Sequence, residues 1–231
     1  MLLEELRIQV LATARQMVAD GVAHGAQGNV SALDRETGLI AITPSAIPYN
    51  QMQIEDVVLL DRHSKVVEGR WKPTSETPMH LIFYHERSDV GAVVHSHAPY
   101  ATTFALINAP LPVVLIESAT CLGGPVPVAP YRRPGTTEVG RIAVETMGAG
   151  VAVLLANHGL VTVGADLAQA YDATIAAETT ARLVIMARAM NAEPVPFDPD
   201  EAAFMRETYL RGYHRTPISK GTPTAPKNAV Q

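Results

Sequence analysis

The chain has 231 residues, 47% of them hydrophobic and 18% charged, with a net charge of −5 and one cysteine. That length fits one large domain or two small ones, and the apolar content supplies a sizeable core. The lone Cys121 excludes an internal disulfide, the absence of a basic stripe excludes nucleic-acid binding, and no apolar run reaches the ~18 residues of a membrane span.

From the N-terminus, Leu3, Leu6, Val10, Leu11, Ala14, Met17 and Val18 form a helical stripe, and Gly21 after Asp20 marks its stop. The charged start, Met1 to Arg7, lacks the basic region and apolar core of a signal peptide, so a cytoplasmic protein is expected. A glycine-bearing turn, Gly25 to Gly28, leads into a strand at Asn29–Leu33, whose hairpin partner is Leu39–Ile42 across the Asp34–Gly38 turn. Val57–Leu60 and Val66–Val67 form a second hairpin around His63 and Ser64. Pro73 to Pro78 reads as a helix start, with hydroxyl caps, an acid in the first turn and a proline near the first helical position. That helix runs to about Arg87, and Gly91–Val94 follows as a buried strand. Next come a helix from Tyr100 to Asn108, an extended run at Val113–Ile116, and a helix from Thr136 to Met147 capped by Thr136 or Thr137. Short strands at Val151–Ala156 and Leu160–Val163 precede a long helix at Leu167–Asn191 and a last one capped by Asp198 or Asp200, ending near Gly212.

With no internal repeat and no mid-chain linker, residues 1–214 are expected to form a single domain. Residues 215–231, with prolines, lysines and no apolar period, are expected to be a disordered tail. Short hairpins mixed with helices imply an α/β fold on a mixed, mostly antiparallel sheet. Cys121, Trp71 and the scattered methionines read as core, while His63, His80, His85 and His214 read as helix-face or loop residues.

The chemistry centres on His95-Ser96-His97 at the end of an apolar strand. Alternate strand residues share a face, so both imidazoles project together while Ser96 points away. His158, in Asn157-His158-Gly159, ends another apolar run and supplies a third imidazole. Three histidines with an open position describe a catalytic metal site for zinc, with manganese, cobalt or nickel as alternatives. Glu76 opens a helix shortly before, and a carboxylate beside a metal-activated carbonyl is the expected base for an α-proton. Three segments offer hydroxyls and backbone N–H groups to an anion: Gly28-Asn29, Thr43 with Ser45 and Ala46, and Thr74-Ser75.

Five motifs in this order resemble the class II aldolase/adducin head family: Gly28-Asn29-Val30-Ser31, Ile42-Thr43-Pro44-Ser45, Thr74-Ser75-Glu76-Thr77-Pro78-Met79-His80, His95-Ser96-His97 and Asn157-His158-Gly159. The resemblance covers about residues 1 to 212 and runs nearest to the L-fuculose-phosphate aldolase branch. It implies a three-layer α/β/α sandwich and a homotetramer with fourfold symmetry, its sites near subunit interfaces. It implies zinc on His95, His97 and His158, and Glu76 as acid/base and as a ligand when the site is empty. Gly28, Asn29, Ser45, Ala46, Thr74 and Ser75 would hold a substrate phosphate. The implied reaction is retro-aldol cleavage of a sugar phosphate or related acidic hydroxy-ketone through a metal-stabilised enediolate. Its alternatives are a decarboxylase of a 3-oxo acid phosphate, a dehydratase or 4-epimerase of a sugar phosphate, and a non-enzymatic adducin-like module. The 4-epimerases usually carry Asp where Glu76 stands. Three departures from the family pattern stand out: Gly25-Ala26 replaces Gly-Thr, Ser45-Ala46 replaces Ser-Gly, and the tyrosine given by a neighbouring subunit is replaced around Glu117. Tyr209 and Tyr213 fall where the resemblance implies a segment closing over the site.

Overall fold

The structure is a computed structural model that describes residues 1–212. Eight strands form one sheet in the order β4-β3-β2-β1-β5-β8-β7-β6. They are β1 (Asn29–Leu33), β2 (Ile40–Ile42), β3 (Val58–Leu60), β4 (Val66–Glu68), β5 (Ala92–Ser96), β6 (Val128–Ala129), β7 (Ala152–Leu155) and β8 (Gly159–Gly164). Every pairing is antiparallel except β6 with β7. The helices are α1 (Glu4–Ala19), α2 (Thr77–Glu86), α3 (Pro99–Leu106), α4 (Ile116–Leu122), α5 (Thr137–Met147), α6 (Leu167–Ala189) and α7 (Pro199–Leu210).

Strand alternation divides the core in two. Val30, Ala32 and Val94 face the layer of α1, α3 and α6, where they join Val10, Met17, Phe104 and Ala177. Leu33 and Val93 face the opposite layer of α2 and α5, packing with Met79, Phe83, Val139 and Val144. Central strands covered on both sides read as continuous apolar runs, which is why β1, β5, β7 and β8 are buried throughout. The outcome is the expected three-layer α/β/α sandwich.

Several local expectations need correction. Ile116 is not the end of an extended run but the first residue of α4. Ser118 Oγ accepts from the Val114 and Leu115 backbone N–H groups, and Gly123 in the left-handed region ends the helix. Thr136 precedes α5, but its hydroxyl donates to Arg133 O instead of capping. Asp198, not Asp200, caps α7, accepting from the Asp200 and Glu201 N–H groups. Trp71 is 46% exposed, with its indole N–H donating to buried Asp56 Oδ1 at 2.6 Å. Met186 on α6 and Met190 just past its end are exposed, whereas Met17, Met52, Met79 and Met147 are core. Cys121 is half-buried. His80 lies on α2, as expected of a helix-face residue, but on its buried face. His214, Tyr213 and the tail 215–231 lie outside the described residues.

Candidate metal centre

The register of the sheet assembles the site. β1 and β5 pair so that Asn29 lies opposite His95, and β5 and β8 pair Ser96 with Leu160. The Asn157-His158-Gly159 corner between β7 and β8 therefore folds over the end of β5. Asn157 adopts φ 58°, a left-handed conformation that asparagine tolerates. Gly159 is required by close approach. A Cβ there would drive into the Ser96 carbonyl and come within 3.2 Å of His97 Cδ2 and 3.3 Å of His95 Cε1. Gly28, at φ 72°, is pressed in the same way against the His95 carbonyl.

His95, His97 and His158 converge, with their candidate ligand atoms all within 4.8 Å of one another. The Nε2 atoms of His95 and His97 are 3.2 Å apart. Glu76 closes the set, its Oε2 3.1 Å from His95 Nε2 and its Oε1 3.5 Å from His158 Nε2. His95 Nδ1 donates to the Leu160 carbonyl at 3.0 Å, so Nε2 is the atom turned toward its neighbours: protonated, it donates to Glu76, and with that proton displaced it offers a lone pair to a cation.

This donor set fits a divalent cation. Lone pairs and a carboxylate crowd one point, Glu76 Oε1 is buried with no hydrogen-bond partner, and a positive charge there would satisfy all of them. Electrostatics agree. Burial pushes His97 and His158 down to about 4, helped by charge on His95, so both are neutral at pH 7. Burial raises the Glu76 carboxyl, but the His95 charge and the hydrogen bonds from His95 and Asn29 outweigh it and hold it well below the usual carboxylate range. Burial lowers His95 too, yet facing Glu76 carries it upward overall. His95 is fully buried, whereas His97 and His158 are partly open to solvent, so a small molecule has one side from which to approach.

The three segments expected to receive an anion meet at one end of the sheet. The Pro44–Pro73 bridge ties the loop after β2 to the segment before α2, with Ser45 N–H donating to Lys72 O and Thr74 N–H to Thr43 O. Ser45, Ala46 and Ser75 are exposed there, Gly28 is half-buried, and Thr74 is buried. Ala46 keeps a positive φ of 62° without being glycine. Thr43 is turned inward, accepting from the Val30 N–H, so its hydroxyl is withdrawn from any ligand. Asn29 also points inward, its Nδ2 donating to Glu76 Oε2 at 2.9 Å.

Glu117 is exposed on α4, and among the described residues no hydrogen bond or ion pair joins it to the histidines. Tyr209 donates to Asp172 Oδ2, tying α7, which packs on α4, to α6. Sequence reasoning overlooked that Asn29 serves Glu76, and that Ser31, His80 and Tyr84 stand behind it. The available signal was Glu76, His80 and Tyr84 at four-residue spacing from the N-cap of α2 onward, opposite Asn29 and Ser31 at two-residue spacing on β1.

The family model of the class II aldolase and adducin N-terminal domain matches residues 8–185. A 5-deoxy-D-ribulose 1-phosphate aldolase of Bacillus thuringiensis serovar kurstaki is 39% identical over 202 residues, covering 87% of this chain and 93% of that one. An L-ribulose-5-phosphate 4-epimerase of Salmonella paratyphi B is 31% identical over 207 residues, covering 85% of this chain and 91% of that one. The solved structure of an L-fuculose 1-phosphate aldolase superposes with a TM-score of 0.84 at 35% identity, covering 89% of this chain and 96% of that one.

Proposed function

The chain belongs to the class II aldolase and adducin N-terminal domain family, and on that premise we propose that it is a metal-dependent aldolase cleaving a ketose 1-phosphate. The observation that carries this reading is the convergence of three imidazoles and the Glu76 carboxylate on one partly open point. The substrate class follows from the relatives, which include a 5-deoxy-D-ribulose 1-phosphate aldolase and an L-fuculose 1-phosphate aldolase.

His95, His97 and His158 would hold the cation, with Glu76 as a fourth ligand until substrate arrives. Zinc suits this set best, and manganese, cobalt and nickel are the alternatives. A bound cation would act as a Lewis acid on the ketose carbonyl and stabilise the negative charge that cleavage leaves there.

The residues of the chain supply the rest. Gly28, Ser45, Ala46, Thr74 and Ser75 would receive the phosphate, with Asn29 contributing through its backbone only, aided by the N-terminus of α2. In the cleavage direction the proton of the C4 hydroxyl is removed, the C3–C4 bond breaks, and its electron pair passes to the C2–C3 fragment. Glu76, once it has taken up a proton from solvent, delivers it to C3, and in the reverse direction takes that proton back. The C4 proton needs a second group. We assign it to Glu117 of a neighbouring subunit, since Glu117 is exposed in the single chain. A homotetramer with sites near its interfaces is supported by exposed Leu106, Ile107, Ile116 and Tyr131, at 56–61% each. Residues 1–214 would be the catalytic unit and 215–231 a tail. We place the enzyme in the cytoplasm; no helix among the described residues is long and apolar enough to cross a membrane.

Ketose 1-phosphates, including 5-deoxy-D-ribulose 1-phosphate and L-fuculose 1-phosphate, with added zinc or manganese test this reading. Release of dihydroxyacetone phosphate and an aldehyde is expected. Inversion at C4 of L-ribulose 5-phosphate without cleavage would instead establish the epimerase reading that the Salmonella relative favours. Carbon dioxide or water as the leaving product would indicate a decarboxylase or dehydratase.

A further inference from the structure

Behind Glu76 runs a chain of buried hydrogen bonds. Asn29 Nδ2 donates to Glu76 Oε2 at 2.9 Å, and Asn29 Oδ1 lies 2.5 Å from His80 Nε2. His80 Nδ1 is 2.6 Å from Ser31 Oγ, which is 2.7 Å from the Tyr84 hydroxyl. Asn29, Ser31, His80 and Tyr84 are each at most 3% exposed, so water cannot substitute for any link.

The chemistry of the donors gives the chain one direction. A carboxylate accepts only, so Asn29 must turn its amide nitrogen to Glu76 and its oxygen to His80. His80 must then carry its proton on Nε2 and accept at Nδ1 from the Ser31 hydroxyl. Ser31 Oγ, having donated, accepts from Tyr84. With Nδ1 protonated instead, His80 would offer a lone pair to Asn29 Oδ1, or the amide would flip and set its oxygen against the carboxylate. Either leaves like acceptors facing each other in a dry interior.

We propose that His80, backed by Ser31 and Tyr84, is a positioning residue: it locks the Asn29 amide so that Glu76 is held at one oxygen while the other remains free toward the reacting carbon and the metal. This rests on the reading of Glu76 as the acid/base. Burial takes His80 down to about 3, so the ring stays neutral and its Nε2–H tautomer persists through the physiological range. Among the hydrogen bonds of the described residues, Ser31, His80 and Tyr84 make none to the three histidines, which separates positioning from binding.

The test is a double-mutant cycle on the zinc-loaded protein with the ketose 1-phosphate that proves to be its substrate. His80→Leu is expected to lower kcat about 10- to 100-fold, the scale of a misplaced catalytic group, with KM and zinc stoichiometry near wild type. His80→Gln, whose amide N–H can reach the place of Nε2–H, should recover most of that loss. In an Asn29→Ala background, His80→Leu should cost nothing further. Independent losses that multiply, or a His80→Gln variant as poor as His80→Leu, would overturn the proposal. If His80→Leu does not fold, Ser31→Ala keeps the ring and serves as the second variant. Histidine ¹⁵N spectra provide a readout apart from turnover: His80 should be the Nε2–H tautomer in wild type and a mixture in Ser31→Ala. An Nδ1–H tautomer in wild type would refute the relay. Glu76→Gln, run alongside, separates the two readings: full turnover there removes Glu76 as acid/base, whereas multiplying His80 and Asn29 losses remove only the relay.

Discussion

Asn29 on β1 stands opposite His95 on β5, and Glu76 touches both, accepting from Asn29 Nδ2 and lying 3.1 Å from His95 Nε2. One carboxylate thus joins the histidine cluster to the strand that begins at the Gly28 turn. Glu76→Gln keeps the shape and the Asn29 neighbour but removes the transferable proton. It should retain metal and lose about 10²–10⁴ in turnover, the usual cost of a missing acid/base. Metal analysis beside steady-state kinetics checks this, and near-normal turnover would release Glu76 from that role.

His97 is partly open to solvent just beyond the end of β5, with no backbone carbonyl securing its second nitrogen among the hydrogen bonds of the described residues. His97→Ala should lose both bound metal and activity. Treating the wild-type protein with a chelator should abolish activity and lower the melting temperature, and zinc should restore both. A His97→Ala protein that still holds one equivalent of metal would remove His97 from the ligand set.

Gly159 is the point where the β7–β8 corner crosses the His95-Ser96-His97 strand end. Gly159→Ala forces a methyl into the Ser96 carbonyl and against two imidazoles. We expect a loss of about 1–3 kcal/mol in urea unfolding of the metal-free protein, as for other overpacked sites, and zinc binding weakened at least about tenfold, since each 1.4 kcal/mol is worth that factor. Unchanged stability together with unchanged zinc affinity would mean that the corner is looser than the geometry indicates.

Asp56 provides a pH-dependent contribution remote from the metal. Burial favours its protonated form, but the Gln53 N–H, the Trp71 indole N–H and the Arg70 guanidinium outweigh that and hold the carboxyl below its ordinary value. The folded pKa is depressed, so this stabilisation is fully present above the unfolded value near ~4 and is lost as pH falls through the lower folded value. Asp56→Asn should cost about 1–3 kcal/mol at pH 7 and flatten the fall in melting temperature below about pH 4. Parallel melting curves for wild type and variant across that acid range would count against it.

Much of this molecule was legible in its sequence. The His-x-His spacing on an apolar run needed only strand alternation to predict a shared face, and the equivalent position of His158 followed from the same pattern. Helix α4 was not legible, because a run of Val113, Val114, Leu115 and Ile116 looks extended; the helix depends on Ser118 and Gly123, whose capping shows only in three dimensions. Thr43 and Asn29 looked like ligand donors because hydroxyls and amides in turns usually face water. Both instead serve buried partners, Val30 N–H and Glu76, and that depends on a register no single strand reveals. His80 was passed over for the same reason. Its value comes from Asn29 and Ser31, roughly fifty residues earlier along the chain.

The central claim is that His95, His97 and His158 share one cation. Anomalous diffraction at the zinc edge from zinc-loaded crystals tests it directly. The account predicts a single strong peak about 2.0–2.1 Å from Nε2 of all three histidines. A peak elsewhere, or a saturated crystal with no peak among those rings, would contradict it.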